Sequence, residues 1–226
     1  MLALGAAVIG FRSAPKDGTG VSGGETPATV QFRSIAKRTA GASSYTETIT
    51  LSGPHVPPGE VETSIYNAPN RLEILEPHTN EVLMIEVGNT DYSKGTFGPG
   101  WSKLSVPARA EARRSSTGTL ASLVHASDVR RDGETFVVQS SGKTAGPHPV
   151  PFRISTMVWT KNGRFATMRL VESTSDPTWN GQVATVRFSK FDQSPTIRVP
   201  AGAHIATTPT IRSCLGSGCP AVDEQP

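Results

Sequence analysis

Two glycine-rich strings near the N-terminus match templates for chemistry. Gly18, Gly20 and Gly23 satisfy G-x-G-x-x-G, the spacing that lets backbone amides approach a pyrophosphate. Gly20-Val21-Ser22-Gly23-Gly24 satisfies G-x-S-x-G, the spacing of a serine nucleophile on a strained elbow. Both templates require an apolar strand directly before the glycines and a helix opening from them. Lys16 and Asp17 precede these strings, and linker residues continue to Pro27. A Gly/Ser linker generates both patterns by composition alone, and neither is assigned a role.

The remaining reactive side chains are sparse. His55, His78 and His148 stand beside prolines in expected loops, His125 falls in an expected helix, and His204 lies near the C-terminus. Glu73, Glu76, His78 and Glu81 crowd one turn, where oxygen ligands can hold a hard cation, although a solvated turn is the simpler account. Cys214 and Cys219, separated by Leu215-Gly216-Ser217-Gly218, can close a small disulfide loop. In the chain-entropy description so short a loop contributes about 2 kcal/mol. A metal site there would need two further ligands, and only His204 is near in sequence. No Ser-His-Asp set or carboxylate pair stands out, so no catalytic residue, cofactor or metal is expected.

The elements that would position any site are mostly strands. Thr26 is an N-cap, Pro27 suits the first helical position, and Phe32, Ile35, Ala36 and Thr39 recur at helical spacing before Gly41 stops the helix. From Tyr45 to Leu51 the chain alternates, with Thr46, Thr48 and Thr50 on one face and Tyr45, Glu47, Ile49 and Leu51 on the other. The string GPHVPPG is read as a break before a strand over 61–66. Residues 67–70 form a turn, and strands follow over 71–75 and 81–87. Leu83, Ile85 and Val87 share one face of the last of these and Val82 and Met84 the other, so both faces must be covered. A second short helix is expected over 117–127, where Leu120, Leu123, Val124 and Ser127 keep helical spacing, then a strand over 134–139. Asn162-Gly163 between two β-branched and aromatic runs (152–171) marks a hairpin, because both residues accept the positive φ of a type I′ turn. A strand over 182–188 and a short edge strand over 197–199 close the series.

Twenty-two glycines, 18 prolines and 6% aromatic residues suit a turn-rich, mainly antiparallel β (α+β) protein. Eight or so strands with two short helices point to a strongly curved, half-open β-barrel with helices over its concave face. The domain expected to fold is 27–205. Residues 1–26 comprise an apolar run, Met1 to Phe11, and a Gly/Ser linker; residues 206–226 form a flexible tail with the two cysteines. The apolar run is shorter than the roughly 20 residues that span a bilayer, and it is read as the end of a signal or anchor or as an apolar terminus. The formal charge of +3 is spread over scattered or paired bases such as Lys37-Arg38, Arg113-Arg114 and Arg130-Arg131. That pattern argues against a nucleic-acid partner and leaves room for weak attraction to an anionic membrane surface.

The order of these elements resembles the mycobacterial LppX/LprG-type lipoproteins, whose fold is similar to the lipoprotein carriers LolA and LolB. The matching pieces are a short helix leading into SSYTETITLSG, then VETSIYNAPNRLEI, VLMIEVGNTDYSKG with GWSKL, LASLVHASDVRRDGETFVV, the hairpin MVWTKNGRFATMRLVE, and VRFSKFDQSPTIRVP. The resemblance implies a curved antiparallel sheet with helices over its hollow, enclosing acyl chains, in an extracytoplasmic protein of the cell envelope. One departure is plain: no cysteine ends the N-terminal apolar run, so a lipobox anchor is absent as written.

The expected function is therefore binding or carriage of a lipid or other hydrophobic molecule, with an envelope protein as a further partner. Two other readings stay open, a non-catalytic envelope sensor of the same fold and a hydrolase of unknown class. Residues expected to line the hollow are Ile49, Leu51, Ile65, Leu83, Ile85, Val87, Phe136, Val138, Met157, Trp159, Met168, Leu170, Val186 and Phe188. Met157, Trp159 and Met168 flank one hairpin, where adaptable thioethers and an indole suit an irregular apolar guest.

Overall fold

The structure is a computed structural model that describes residues 25–54, 56–95, 99–105, 120, 123–143, 150–177 and 180–205. Among the described residues, helix α1 (Pro27–Ala40) is followed by twelve strands: β1 (Ser44–Gly53), β2 (Val56–Asn67), β3 (Arg71–Leu75), β4 (Val82–Val87), β5 (Thr90–Lys94), β6 (Trp101–Ser105), β7 (Val129–Asp132), β8 (Thr135–Lys143), β9 (Pro151–Lys161), β10 (Arg164–Thr174), β11 (Val183–Ser189) and β12 (His204–Ile205). All twelve belong to a single sheet in the order β12-β6-β5-β4-β3-β2-β1-β11-β10-β9-β8-β7. The sheet is large, curved and open rather than closed into a barrel.

Two meanders make this order. The first runs outward from β1 to β6. The second runs inward from β7 to β11, and β11 pairs antiparallel with β1 from Thr46↔Ser189 to Ser52↔Val183. The terminal arms cross that seam. Helix α1 precedes the first meander yet packs on β7 and β10 of the second. The segment after β11 leaves the second meander for the outer side of the first. There Asn67 Nδ2 donates to the Pro195 carbonyl (2.8 Å) and Arg71 Nη1 to that of Ile197 (3.1 Å). Ile197 is buried there outside the main core, and the described residues end in β12, parallel to β6.

Helix α1 forms where its end signals place it. The Thr26 hydroxyl accepts from the Thr29 amide (3.2 Å), and the Gly41 amide closes on the Lys37 carbonyl (2.9 Å). Its buried stripe is Thr29, Phe32, Ala36 and Thr39. The Phe32 ring meets Phe136 at 5.5 Å and Phe165 at 5.2 Å between centroids. Truncating so buried a phenylalanine to alanine costs about 3–5 kcal/mol in typical cores.

Several expectations need correction. GPHVPPG does not break the sheet: β2 begins at Val56 and carries Pro57, Pro58 and Gly59. It does so because β3 joins β2 only from Thr63, leaving the earlier residues an open edge, and because the β1 register shifts twice there. Proline is tolerated at such edges and bulges, where no ladder needs its missing donor. Residues 197–199 form no strand; the short edge strand is β12. Strands β5, β6 and β7 add to the count expected from sequence. The second helix is present where it is described: Leu120 and Leu123 are helical and buried in the core, and the Val124 amide bonds the Leu120 carbonyl (3.2 Å). The rest of that helix, Met1 to Gly24, His55, His148, Cys214 and Cys219 lie outside the described residues. No helix among the described residues is long and apolar enough to cross a membrane.

Candidate hydrophobic binding face

Strand register sorts every side chain to one of two faces. The face beneath α1 carries two unbroken cross-strand rows. The first is Ile49, Val186, Met168, Val158 and Phe136; the second is Leu51, Ala184, Leu170, Thr156, Val138 and Val129. On the first meander this same inner face continues as Tyr45, Tyr66, Leu72, Glu86, Asp91 and Leu104, and as Ser64, Ile74, Met84, Ser93 and Ser102. The rows are most deeply buried beside α1, where Val158 and Phe165 are fully covered. Farther out Ile49, Leu51, Ile74, Met84 and Leu104 are only half-buried. Buried Glu47, Ser64 and Glu86 interrupt the apolar surface, and the Ser64 hydroxyl donates to Glu62 Oε1 (2.6 Å).

Of the residues expected to line the hollow, Ile49, Leu51, Phe136, Val138, Met168, Leu170, Val186 and Phe188 are brought together on the inner face. Ile65, Ile85, Val87, Met157 and Trp159 stand on the outer face. Leu83 occupies the bulge where β3 and β4 shift register. Trp159, 36% exposed, sits in the outer row Thr48, Arg187, Thr167, Trp159 and Thr135. Sequence reasoning put Tyr45 on the face of Ile49 and Leu51 without listing it in the hollow, and did not single out Tyr66, Leu72, Ile74, Val158 or Phe165; the alternation within β2, β3, β9 and β10 contained that signal.

One extra residue separates Met168 from its expected neighbours. Asn162 (φ 54°) and Gly163 (φ 70°) make the two-residue turn, pairing Lys161 with Arg164 and Thr160 with Phe165. An unbroken ladder would next pair Trp159 with Ala166 and Met157 with Met168. Instead Trp159 pairs with Thr167, so Ala166 is a β-bulge and Met168 faces Val158. A one-residue slip exchanges the two faces of a strand.

Helix α1 bonds the strand at the residue that precedes the bulge. In a two-residue hairpin the residue after the closing pair turns its amide away from its partner strand. The β10–β11 ladder starts only at Thr167, beyond reach of Phe165. The Phe165 amide donates to Thr39 Oγ1 (3.0 Å), and that hydroxyl donates to the Ile35 carbonyl (2.9 Å). Thr39 is fully buried, so these bonds are sheltered from water.

The titratable groups are spent on structure. Glu76 accepts from the His78 (2.9 Å) and Thr79 (2.6 Å) amides, contacts with Thr79 that hold its carboxyl below the usual range, and Glu81 pairs with Lys94. Burial raises Glu73 on the outer face, and burial followed by the neighbouring Asp176 raises Glu172. Asp192 is held low by Arg164, 2.7 Å away, and by the amide and hydroxyl of Ser43. No group of three or more metal-ligating side chains occurs among the described residues. Ser102 Oγ lies 2.9 Å from His204 Nε2. The serine is buried, and among the described residues no carboxylate bonds the other ring nitrogen of His204, so this contact ties β12 to β6.

No protein-family model and no curated protein matches the chain. Among solved structures it is similar to LprF from Mycobacterium bovis, with 15% identity over 80% of this chain and 100% of that one and a TM-score of 0.44. It is also similar to a LolA superfamily protein from Nitrosomonas europaea, with 7% identity over 78% of this chain and 96% of that one and a TM-score of 0.32. These are the lipoprotein and LolA-type groups that the order of sequence elements resembles.

Proposed function

We propose that the inner face of the curved sheet binds a lipid or lipid-like hydrophobic molecule, and that the protein carries it through an extracytoplasmic compartment of the cell envelope. The observation that carries this reading is the run of half-buried aliphatics, Ile49, Leu51, Ile74, Met84 and Leu104, on the inner face beyond β7 and β10, where α1 packs. An apolar guest laid there would leave water at about 0.8 kcal/mol per methylene, so about ten methylenes supply about 8 kcal/mol before ordering costs. That magnitude is why a long chain does not cross an aqueous gap unaided and why a protein hollow is useful to it. The extracytoplasmic placement is supported by the resemblance of the element order to envelope carriers.

The test is intact native mass spectrometry of the full chain purified from its native host. A reproducible adduct of lipid mass is expected, and L51R or I74R, which put a charge on the open part of the inner face, should lose it while keeping the wild-type circular dichroism spectrum. A protein that is empty in every preparation, and takes up no fluorescent fatty acid, would refute carriage.

A further inference from the structure

The strand ends where β9 turns into β10 gather bases. Lys161, exposed, and Arg164 flank the turn, and Lys190 follows β11. The last turn of α1 brings Lys37 and Arg38, the latter with its guanidinium against Gly163. Acids at this end are Asp132 and Glu134 in the exposed β7–β8 turn and Asp192, which is occupied by Arg164 and Ser43, so these five bases outnumber them. Between the bases opens a cleft of about 370 Å³ lined by Lys161, Arg164, Phe165, Ala166, Phe188 and Phe191, among others. The Arg164 guanidinium stacks over the Phe191 ring at 4.9 Å. The opposite ends of the strands carry Glu76, Glu81, Glu172 and Asp176. Lys94 there is paired with Glu81, and the surplus of bases lies at the β9–β10 end.

We propose that this basic, aromatic-floored tip docks on an anionic phospholipid surface. Charge complementarity selects the partner: clustered ammonium and guanidinium groups meet lipid phosphates. The Phe191 ring, packed against the core, holds the Arg164 guanidinium at this surface, and the end that carries Glu76, Glu81, Glu172 and Asp176 is turned away from the bilayer. Each base near such a surface contributes about 1 kcal/mol, or about fivefold in partitioning. This docking stands apart from what the inner face holds.

The experiment is flotation of the full chain with phosphatidylcholine vesicles, with and without one-third phosphatidylglycerol. Binding to the anionic vesicles only is expected, and it should fall as salt shortens the Debye length from about 30 Å at 0.01 M to about 8 Å at 0.15 M. K161Q/K190Q should lower the partition coefficient about 25-fold. R153Q/R187Q removes the same charge from exposed positions on the outer face and should stay within about threefold of wild type. Equal melting temperatures confirm that both variants fold. Wild-type protein that fails to float with anionic vesicles, or a control pair that loses as much as the tip pair, overturns the proposal. Intact mass spectrometry of the same preparations reads cargo separately, so an empty protein that still floats counts against carriage and not against docking.

Discussion

Replacing Thr39 with valine tests whether the helix holds the bulge. The two side chains have nearly the same shape, and their helix propensities are close. What valine removes is the acceptor for the Phe165 amide, a bond buried at 3.0 Å. A buried amide left without a partner costs about 1–3 kcal/mol, more than the net value of an average hydrogen bond. Losing the return bond to the Ile35 carbonyl adds little, because that carbonyl can remain in the helical ladder. A loss of about 2 kcal/mol lowers the melting temperature of a domain this size by about 4–8 °C. Circular dichroism melts of wild type, T39V and T39S give the comparison, with serine restoring most of the loss. Hydrogen exchange at the Phe165 amide should quicken in T39V beyond what the global destabilisation explains. T39V melting within 1 °C of wild type, with unchanged exchange at Phe165, would refute the clamp, since no other described group accepts from that amide.

Further outcomes follow from other contacts. G163A should cost about 1–2 kcal/mol because alanine resists the left-handed conformation at φ 70°, and its methyl would meet the Arg38 guanidinium; adding R38A should return the part due to the clash in a double-mutant melt. Glu172 has a raised carboxyl pKa, so the fold favours its neutral form, and wild-type stability rises as pH falls through that raised value toward the ordinary one. E172Q should therefore melt higher than wild type at pH 7, with the advantage gone below about pH 4.3. Asp192 has a lowered pKa, so its contribution is present above the ordinary aspartate value of about 3.9 and is lost as pH falls through the depressed one. D192N should melt lower at pH 6 and show a shallower acid limb, read as melting temperature against pH.

Much of the scaffold was legible because its signals are local. Thr26, Pro27 and Gly41 bound α1 through backbone groups within a turn of themselves. The alternation of Thr46, Thr48 and Thr50 against Tyr45, Glu47, Ile49 and Leu51 fixes the two faces of β1 without knowledge of its neighbours. Asn162-Gly163 sets its hairpin for the same reason. Strands β5 and β7, reading TDYSK and VRRD, carry no apolar period; they form because neighbouring strands offer ladders, which is a tertiary cause. The inner face was half legible. Phe136, Val138, Leu170 and Val186 follow from alternation, but the bulge at Ala166 follows Phe165, whose amide is bonded by Thr39, well over a hundred residues away. No pattern within 152–171 reveals it, and it decides that Met157 and Trp159 stand opposite Met168. Ile197 illustrates the same limit: its β-branched neighbourhood looks like an edge strand, whereas Asn67 and Arg71 draw it across the outer face.

The crossing of the terminal arms has a consequence for how this chain can be divided. Most of its strand pairs are local, so each meander could in principle assemble early and alone. Yet the cover of the second meander is held by the N-terminal end of the chain, and a strap on the first is held by the C-terminal end. Either half, cut free between β6 and β7, would keep its own hairpins, lose the arm that shields it and expose the edge strand left at the seam. Each half therefore relies on an arm supplied by the other, which couples the two meanders despite their short-range wiring.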